Sequence, residues 1–248
     1  MKKTLSILLL VGSIVTCSII TGAAVMTGTA PPEFREYQAI GVDKIHIENT
    51  SGKITVSPMA IDKVEISATK RKFSDKCSYQ TEKTEYNEIH VKVERSIGED
   101  CEVDVDIKVP KDADLNIWSG SGPVQISDME GNLIFNLGSG SVTAKGKFKK
   151  VDGKSGSGAV DIAGLTTGGT ISVGSGPVNL RYLDYPTGRM DVKTGNGDAN
   201  ISFPKGSKVN ASLSTGSGDV VNEIGTYESA EFGLSVKTGS GDLKIKAY

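Results

Sequence analysis

The chain has 248 residues, 30 of them glycine, with a single tryptophan and near-balanced charge of 28 Lys and Arg against 30 Asp and Glu. That length suffices for one extended core or two compact ones, and so much glycine beside one tryptophan points away from a conventional globular enzyme. The mildly acidic, mixed-charge surface excludes nucleic acid and anionic lipid as default partners, because both are bound through concentrated basic patches.

At the N-terminus, Lys2 and Lys3 precede the apolar run Leu5 to Val11 (LSILLLV), which continues weakly to Ile20. This is the grammar of an export signal, and residues 1–30 read as a signal peptide or an N-terminal membrane anchor, the cleaved signal being preferred. Thr21-Gly22-Ala23 and Gly28-Thr29-Ala30 both offer small residues for cleavage, the second followed by an unfavourable Pro31. If uncleaved, the uncharged stretch from Leu5 to Met26 is long enough to cross a ~30 Å hydrocarbon core with the lysines inside. Cys17 opens a lipid-anchor reading, but Thr16 before it and Ile19-Ile20 after it favour an ordinary apolar residue.

Residues 31–248 read as one exported domain. Its first repeat is degenerate: in IHIENTSGKITV (45–56), Ile45, Ile47, Ile54 and Val56 alternate around a Thr50-Ser51-Gly52 turn. Residues 57–114 then interrupt the period with alternating strands around Val64-Ile66-Ala68, Ile89-Val91-Val93 and Val103-Val105-Ile107-Val109. This inserted segment is expected to form an extra sheet that caps an open end, its charged alternate residues forming a solvated face. Cys77 and Cys101 lie in it, and an even pair in an oxidising compartment is expected to form a disulfide worth on the order of 3 kcal/mol by loop closure.

From 115 to 248 one motif recurs seven times without gaps: SGSGPVQI, LGSGSVTA, SGSGAVDI, VGSGPVNL, TGNGDANI, TGSGDVVN and TGSGDLKI. The corner glycine pairs are Gly120 and Gly122, Gly138 and Gly140, Gly156 and Gly158, Gly174 and Gly176, Gly195 and Gly197, Gly216 and Gly218, and Gly239 and Gly241. First glycines are spaced 18, 18, 18, 21, 21 and 23 residues apart. Four residues after each stands Val124, Val142, Val160, Val178, Ala199, Val220 or Leu243, so each unit is strand, G-x-G corner, strand. A coil of this kind cannot bury its own face, and stacked neighbours make a continuous core. The expectation is an all-β, single-domain, β-helix-like solenoid of about eight coils with an extra N-terminal β-cap.

The run VPKDADLNIWSGSGPVQI, followed by GSGxV and TGSGDV repeats, resembles the bacterial "putative adhesin" family, domain of unknown function 4097, over roughly residues 40 to 246. The resemblance implies an exported GSGD-repeat solenoid and leaves activity open, since its motifs are structural. Pro123, Ser141, Ala159 and Pro177 depart from it, standing where the family favours Asp.

No residue pattern announces catalysis. His46 and His90 are the two histidines, on outward positions away from the regular coils, and there is no H-E-x-x-H, P-loop, dinucleotide fingerprint or triad order. The chain is therefore expected to be no enzyme and to need neither cofactor nor metal, with a carbohydrate-active β-helix enzyme as the remote alternative. Asp198, Asp219 and Asp242 follow their corner glycines at equivalent positions and are candidates for a binding row, a calcium-bearing ladder being weighed against turn-forming aspartates and the latter preferred. Tyr182, Tyr185 and Tyr227 in the longer connectors are candidates for contacts with a partner, weighed against local packing, the latter preferred. Trp118 is expected to alternate outward beside the first corner. The function expected is an adhesin or envelope interaction module, periplasmic, cell-surface or secreted, whose partner is a protein or glycan; the alternative is a self-assembling structural protein.

Overall fold

The computed structural model describes residues 31–59, 63–98 and 100–248; the export segment with Cys17 lies outside the described residues. All regular structure among them is β, and no helix there is long and apolar enough to cross a membrane. The chain opens with β1 (Glu33–Gln38) and builds a first coil from β2 (Lys44–Ser51) and β3 (Ile54–Pro58). After β4 (Lys63–Lys72) and β5 (Cys77–Lys83), β6 (Glu88–Arg95) and β7 (Glu102–Val109) make a second coil. Four regular coils follow: β8 (Asp114–Ser121) with β9 (Val124–Met129), β10 (Leu133–Ser139) with β11 (Val142–Phe148), β12 (Val151–Ser157) with β13 (Val160–Leu165), and β14 (Gly169–Ser175) with β15 (Val178–Tyr182). The last three pair β16 (Gly188–Asn196) with β17 (Ala199–Phe203), β18 (Asn210–Ser217) with β19 (Val220–Asn222), and β20 (Phe232–Ser240) with β21 (Leu243–Ala247).

The two strands of each coil enter different sheets. One sheet has eleven strands in the order β1-β4-β7-β3-β9-β11-β13-β15-β17-β21-β19, the other ten in the order β18-β20-β16-β14-β12-β10-β8-β2-β6-β5. Coils stack in parallel register, so like positions form columns: Ile117, Phe135, Gly153, Ile171 and Val192 lie side by side across one sheet. In the other, Val124, Val142, Val160, Val178, Ala199 and Leu243 do the same, all buried. Gly153, a break in the aliphatic pattern, is a packing complement. A Cβ there would lie 2.0 Å from Cζ of Phe135, whose buried ring fills the space.

Each corner stacks directly on the corner of the adjacent coil. A Cβ at Gly156 would sit 2.5 Å from the carbonyl oxygen of Gly138, and one at Gly158 2.2 Å from that of Gly140. Gly158 also has φ of +127°, a conformation that side chains disfavour. Backbone lies against backbone, which leaves no volume for a side chain. Just before several corners sits a buried hydroxyl that satisfies a corner carbonyl: Ser155 Oγ donates to Ser157 O at 3.3 Å, and Thr238 Oγ1 reaches Ser240 O at 3.1 Å and Gly197 O at 3.2 Å.

Two features differ from the sequence expectation. Residues 57–114 do not form a separate sheet: β6 and β7 stack in parallel on β2 and β3 as a ninth coil, and β4 and β5 extend the two main sheets as antiparallel edges. This coil lacks the G-x-G pair at its corner, and the Cys77–Cys101 disulfide, with Cα atoms 5.8 Å apart, ties that corner to the start of β5. Across the cap, Tyr37 Oη and Thr81 Oγ1 meet at 2.7 Å, and Lys83 Nζ holds the carbonyls of Gln38 and Ile40 at 3.0 Å each.

The second difference is the order of the coils. The chain's last coil, β20 and β21, slots between β16/β17 and β18/β19, so the 216 coil is outermost. At the other end the first coil, β2 and β3, is likewise enclosed between β6/β7 and β8/β9. The chain's first and last coils are thus each held between two neighbours, while other coils take the ends of the array.

Two measurements check this reading. Gly156→Ala and Gly158→Ala should each lower unfolding free energy by about 1–3 kcal/mol, whereas Gly233→Ala, whose Cβ would lie no closer than 3.8 Å to any neighbour, should change chemical denaturation little. Removal of 232–248 should abolish a cooperative melt instead of trimming one repeat, because it takes out an enclosed coil and strands β18 and β19. A truncated chain that melts as sharply as the parent would contradict the coil order.

Candidate functional site

The outer face of the ten-stranded sheet, near its capped end, gathers the chain's rarest side chains. Alternation turns His46 and Glu48 of β2, His90 and Lys92 of β6, and Asn116 and Trp118 of β8 away from the core. Register then aligns them in two rows: His90, His46 and Asn116 in one, Lys92, Glu48 and Trp118 in the next. The imidazole centroids are 5.2 Å apart. Trp118 is 50% exposed and its Nε1 donates to Asn116 Oδ1 at 3.1 Å, which fixes the plane of the indole.

Charges knit this face together. His46 Nε2 is hydrogen-bonded to Glu48 Oε1 at 2.8 Å, His90 Nε2 to Glu88 Oε2 at 3.2 Å, and Lys44 Nζ to Glu88 Oε1 at 2.8 Å. Hydrogen bonds from Lys44 and His90 hold the Glu88 carboxyl below the usual range, and Glu88 in turn raises Lys44. Lys92 pairs with Glu94 at 2.8 Å and approaches Glu48 at 3.9 Å.

Two adjoining clefts share Glu48. One, of about 660 Å³, is lined by His46, His90, Lys92 and the β1 and β5 side chains Glu33, Arg35, Tyr79 and Glu82. The other, about 560 Å³ and shallower, lies beside Trp118, with Glu94, Arg95 and Asn136 on its walls. Tyr79 Oη is buried without a hydrogen-bond partner in the wall of the first, and burial pushes its phenol up to about 12. Among the described residues no group of three or more His, Cys, Asp or Glu is placed to hold a metal ion.

The candidates read from sequence fall elsewhere. Asp198, Asp242 and Asp219 form a row in that spatial order. Asp198 Oδ1 accepts the backbone N–H of Asp242 at 2.8 Å, and Asp242 Oδ1 that of Asp219 at 2.9 Å. These carboxylates therefore brace the neighbouring coil's corner. Of the two readings weighed for Tyr182, packing is the one its surroundings match: it is fully buried, stacked on Phe203 at 4.7 Å and edge-on to Phe232 at 5.1 Å. Tyr185 and Tyr227 are exposed, 66% and 43%, and Tyr185 Oη is engaged with Lys205 O at 3.0 Å. Neither is brought near the aspartates' row or the histidine face by a contact. His46 and His90, expected away from the regular coils, stand one and two strands from β8; the repeated phrase Ile-His-aliphatic at 45–47 and 89–91 was the signal that pairs them.

No curated protein matches the chain. Solved structures to which the chain is similar include a "putative cell adhesion protein" from Clostridium sporogenes at 13% identity, covering 88% of this chain and 100% of that one with a TM-score of 0.43. A "putative adhesin" from Bacteroides fragilis is 13% identical over 88% of this chain and 97% of its own, TM-score 0.48. A "putative lipid binding protein" from Parabacteroides distasonis is 15% identical over 89% and 98%, TM-score 0.40. The Toastrack DUF4097 family model matches residues 37–246, which takes in every coil from β2 to β21, and the chain belongs to that family.

Proposed function

We propose that this protein is an exported, non-enzymatic interaction module that binds a glycan chain through the Trp118–His46–His90 face. The observation that carries the reading is a pair of clefts joined at Glu48, one lined by His46, His90 and Lys92, the other by the only tryptophan, half-exposed and bonded to Asn116. A fixed indole offers a flat apolar platform, and planar polar side chains around it can pair with ring hydroxyls, the combination that a sugar's apolar face and polar rim require. Export is supported by the basic-then-apolar grammar of residues 1–30 and by the disulfide, which belongs to an oxidising compartment.

A non-catalytic role is supported by the electrostatics of the face. Glycoside hydrolysis needs one carboxylic acid kept protonated, with its pKa raised. Glu88, on this face, is shifted the opposite way by its hydrogen bonds from Lys44 and His90. Arrayed glycans provide the test. The full chain should bind a defined set of them, Trp118→Ala should weaken binding about 30-fold as loss of a hot-spot aromatic does, and Tyr185→Ala should leave it unchanged. Equal binding by Trp118→Ala would remove this face from the function, and release of reducing ends from a bound glycan would overturn the non-enzymatic reading.

A further inference from the structure

The two ends of the stack are chemically unlike. At the capped end the edge strands run antiparallel to their neighbours and carry charge: β1 reads EFREYQ and β5 reads CSYQTEK, with Glu33, Arg35 and Lys70 linked at 2.5 and 3.0 Å. Charged, reversed edges are the common means of blocking strand addition. At the other end β18 (NASLSTGS) and β19 (VVN) are the outermost strands of both sheets and contain no charged residue.

The core is also incompletely closed there. Val220 and Val221 are 47% and 44% exposed, and Ala211 and Leu213, inward by register with Leu234 and Val236, are only half-buried. The connector between β19 and β20 covers part of this end. Its Tyr227 N–H donates to Val209 O at 2.9 Å, Thr226 Oγ1 lies 3.5 Å from Ala211 O, and Ile224 packs against the core. No strand among the described residues pairs with the outer edge of β18 or of β19. Two parallel-sheet edges therefore end with outward backbone groups and an apolar strip between them.

We infer that this end is a docking surface for a second copy of the same end, giving a closed two-fold pair. Any occupant must present two free strand edges at the separation of the two sheets, about 10 Å, with an uncharged apolar strip between them. A second copy meets the conditions by symmetry, and β18 and β19 themselves bring no charge to the contact, with Asp219 at their corner and Glu223, paired with Lys244, at its margin. Head-to-tail growth is not open to it, because the opposite end of every copy is capped by β1, β4 and β5. The strip between the sheets measures roughly 26 by 10 Å from the length of β18 and the sheet spacing, so it contributes about 500 Å² to a pair, below the size of a stable interface, and edge-to-edge strand hydrogen bonds carry the rest. Its affinity is accordingly modest and the pair is concentration-dependent.

Cross-linking of the full chain in a Cys17→Ser background, where the remaining native cysteines are disulfide-bonded, tests this without relying on the glycan face. Single thiols at Ser212→Cys or Ser214→Cys should yield a covalent dimer with a short bis-maleimide, while Gln80→Cys at the capped end should yield none. Adding Val221→Lys, an exposed position that leaves the core untouched, should reduce the Ser214→Cys dimer at least tenfold with the melting curve unchanged. Species larger than a dimer, equal cross-linking from Gln80→Cys, dimer insensitive to Val221→Lys, or monomer alone at the highest soluble concentration would each overturn the inference. Retained glycan binding alongside any of these would show that the glycan reading survives independently.

Discussion

Everything in this fold follows from the close approach of one backbone corner to the next. Strand ladders alone set coils about 4.8 Å apart along a sheet, but a corner must turn from one sheet to the other without opening that spacing. At Gly138, Gly156, Gly174 and Gly195 the corner passes so near the preceding one that a methyl group would lie 2.5 or 2.6 Å from a carbonyl oxygen. Once the corners stack, register is no longer free: Val142 faces Val160, Ala144 faces Ile162, and the columns follow. The hydroxyl ahead of the glycine pair closes the remaining polar debt by bonding the corner carbonyl, as Thr215 Oγ1 does to Ser217 O at 3.0 Å. A residue type that looks like low complexity in the sequence is therefore a constraint on the path of the whole chain.

The regular coils were legible because their determinants are local and repeated. Glycine spacing, the alternating aliphatics and the sheet exchange at each corner all lie within eight-residue windows, and the stacking of equals upon equals needs no further information. What was not legible depends on which coil neighbours which. The ninth coil lacks the G-x-G pair, so β6 and β7 read as ordinary strands although Ile89 and Val91 match Ile45 and Ile47 in register. The out-of-order 216 coil had one local trace, Asn222 at an inward position where other coils carry an aliphatic or Ala144. Its neighbour across the ladder is Ile245, and it turns instead to the carbonyl of Gly225 at 3.0 Å.

The site shows the same division. Tyr182, Tyr185 and Tyr227 look alike in sequence, all in the longer connectors or at their edges, yet Tyr182 ends β15 on an inward position and completes a ring cluster with Phe203 and Phe232. Alternation from Val178 and Leu180 places Tyr182 inward, so its period decides between the two readings that residue type alone leaves open. For the histidines the period alone is not enough. Forty-four residues apart, they meet because β6 returns to the outside of β2, a long-range pairing that local pattern does not encode. The aspartates sit where expected on the corners, and the hydrogen bonds to the next coil's backbone N–H give them a structural task that accounts for their placement without a ligand.

Threading the terminal coils inside the stack has a consequence for where function can reside. A solenoid whose ends are its chain termini frays there first, because the outermost repeat has one interface and a free end. Here the first and last coils each have two neighbours, and the outermost positions go to β6/β7, restrained by a disulfide and a cap, and to β18/β19, restrained by chain continuity on both sides. The cap end gains a rigid frame on which β2, β6 and β8 can hold His46, His90 and Trp118 in fixed rows. The uncapped end keeps an edge without the charges that would close it. The structural difference between the ends thus arises from one topological device applied twice, with a cap added at only one of them.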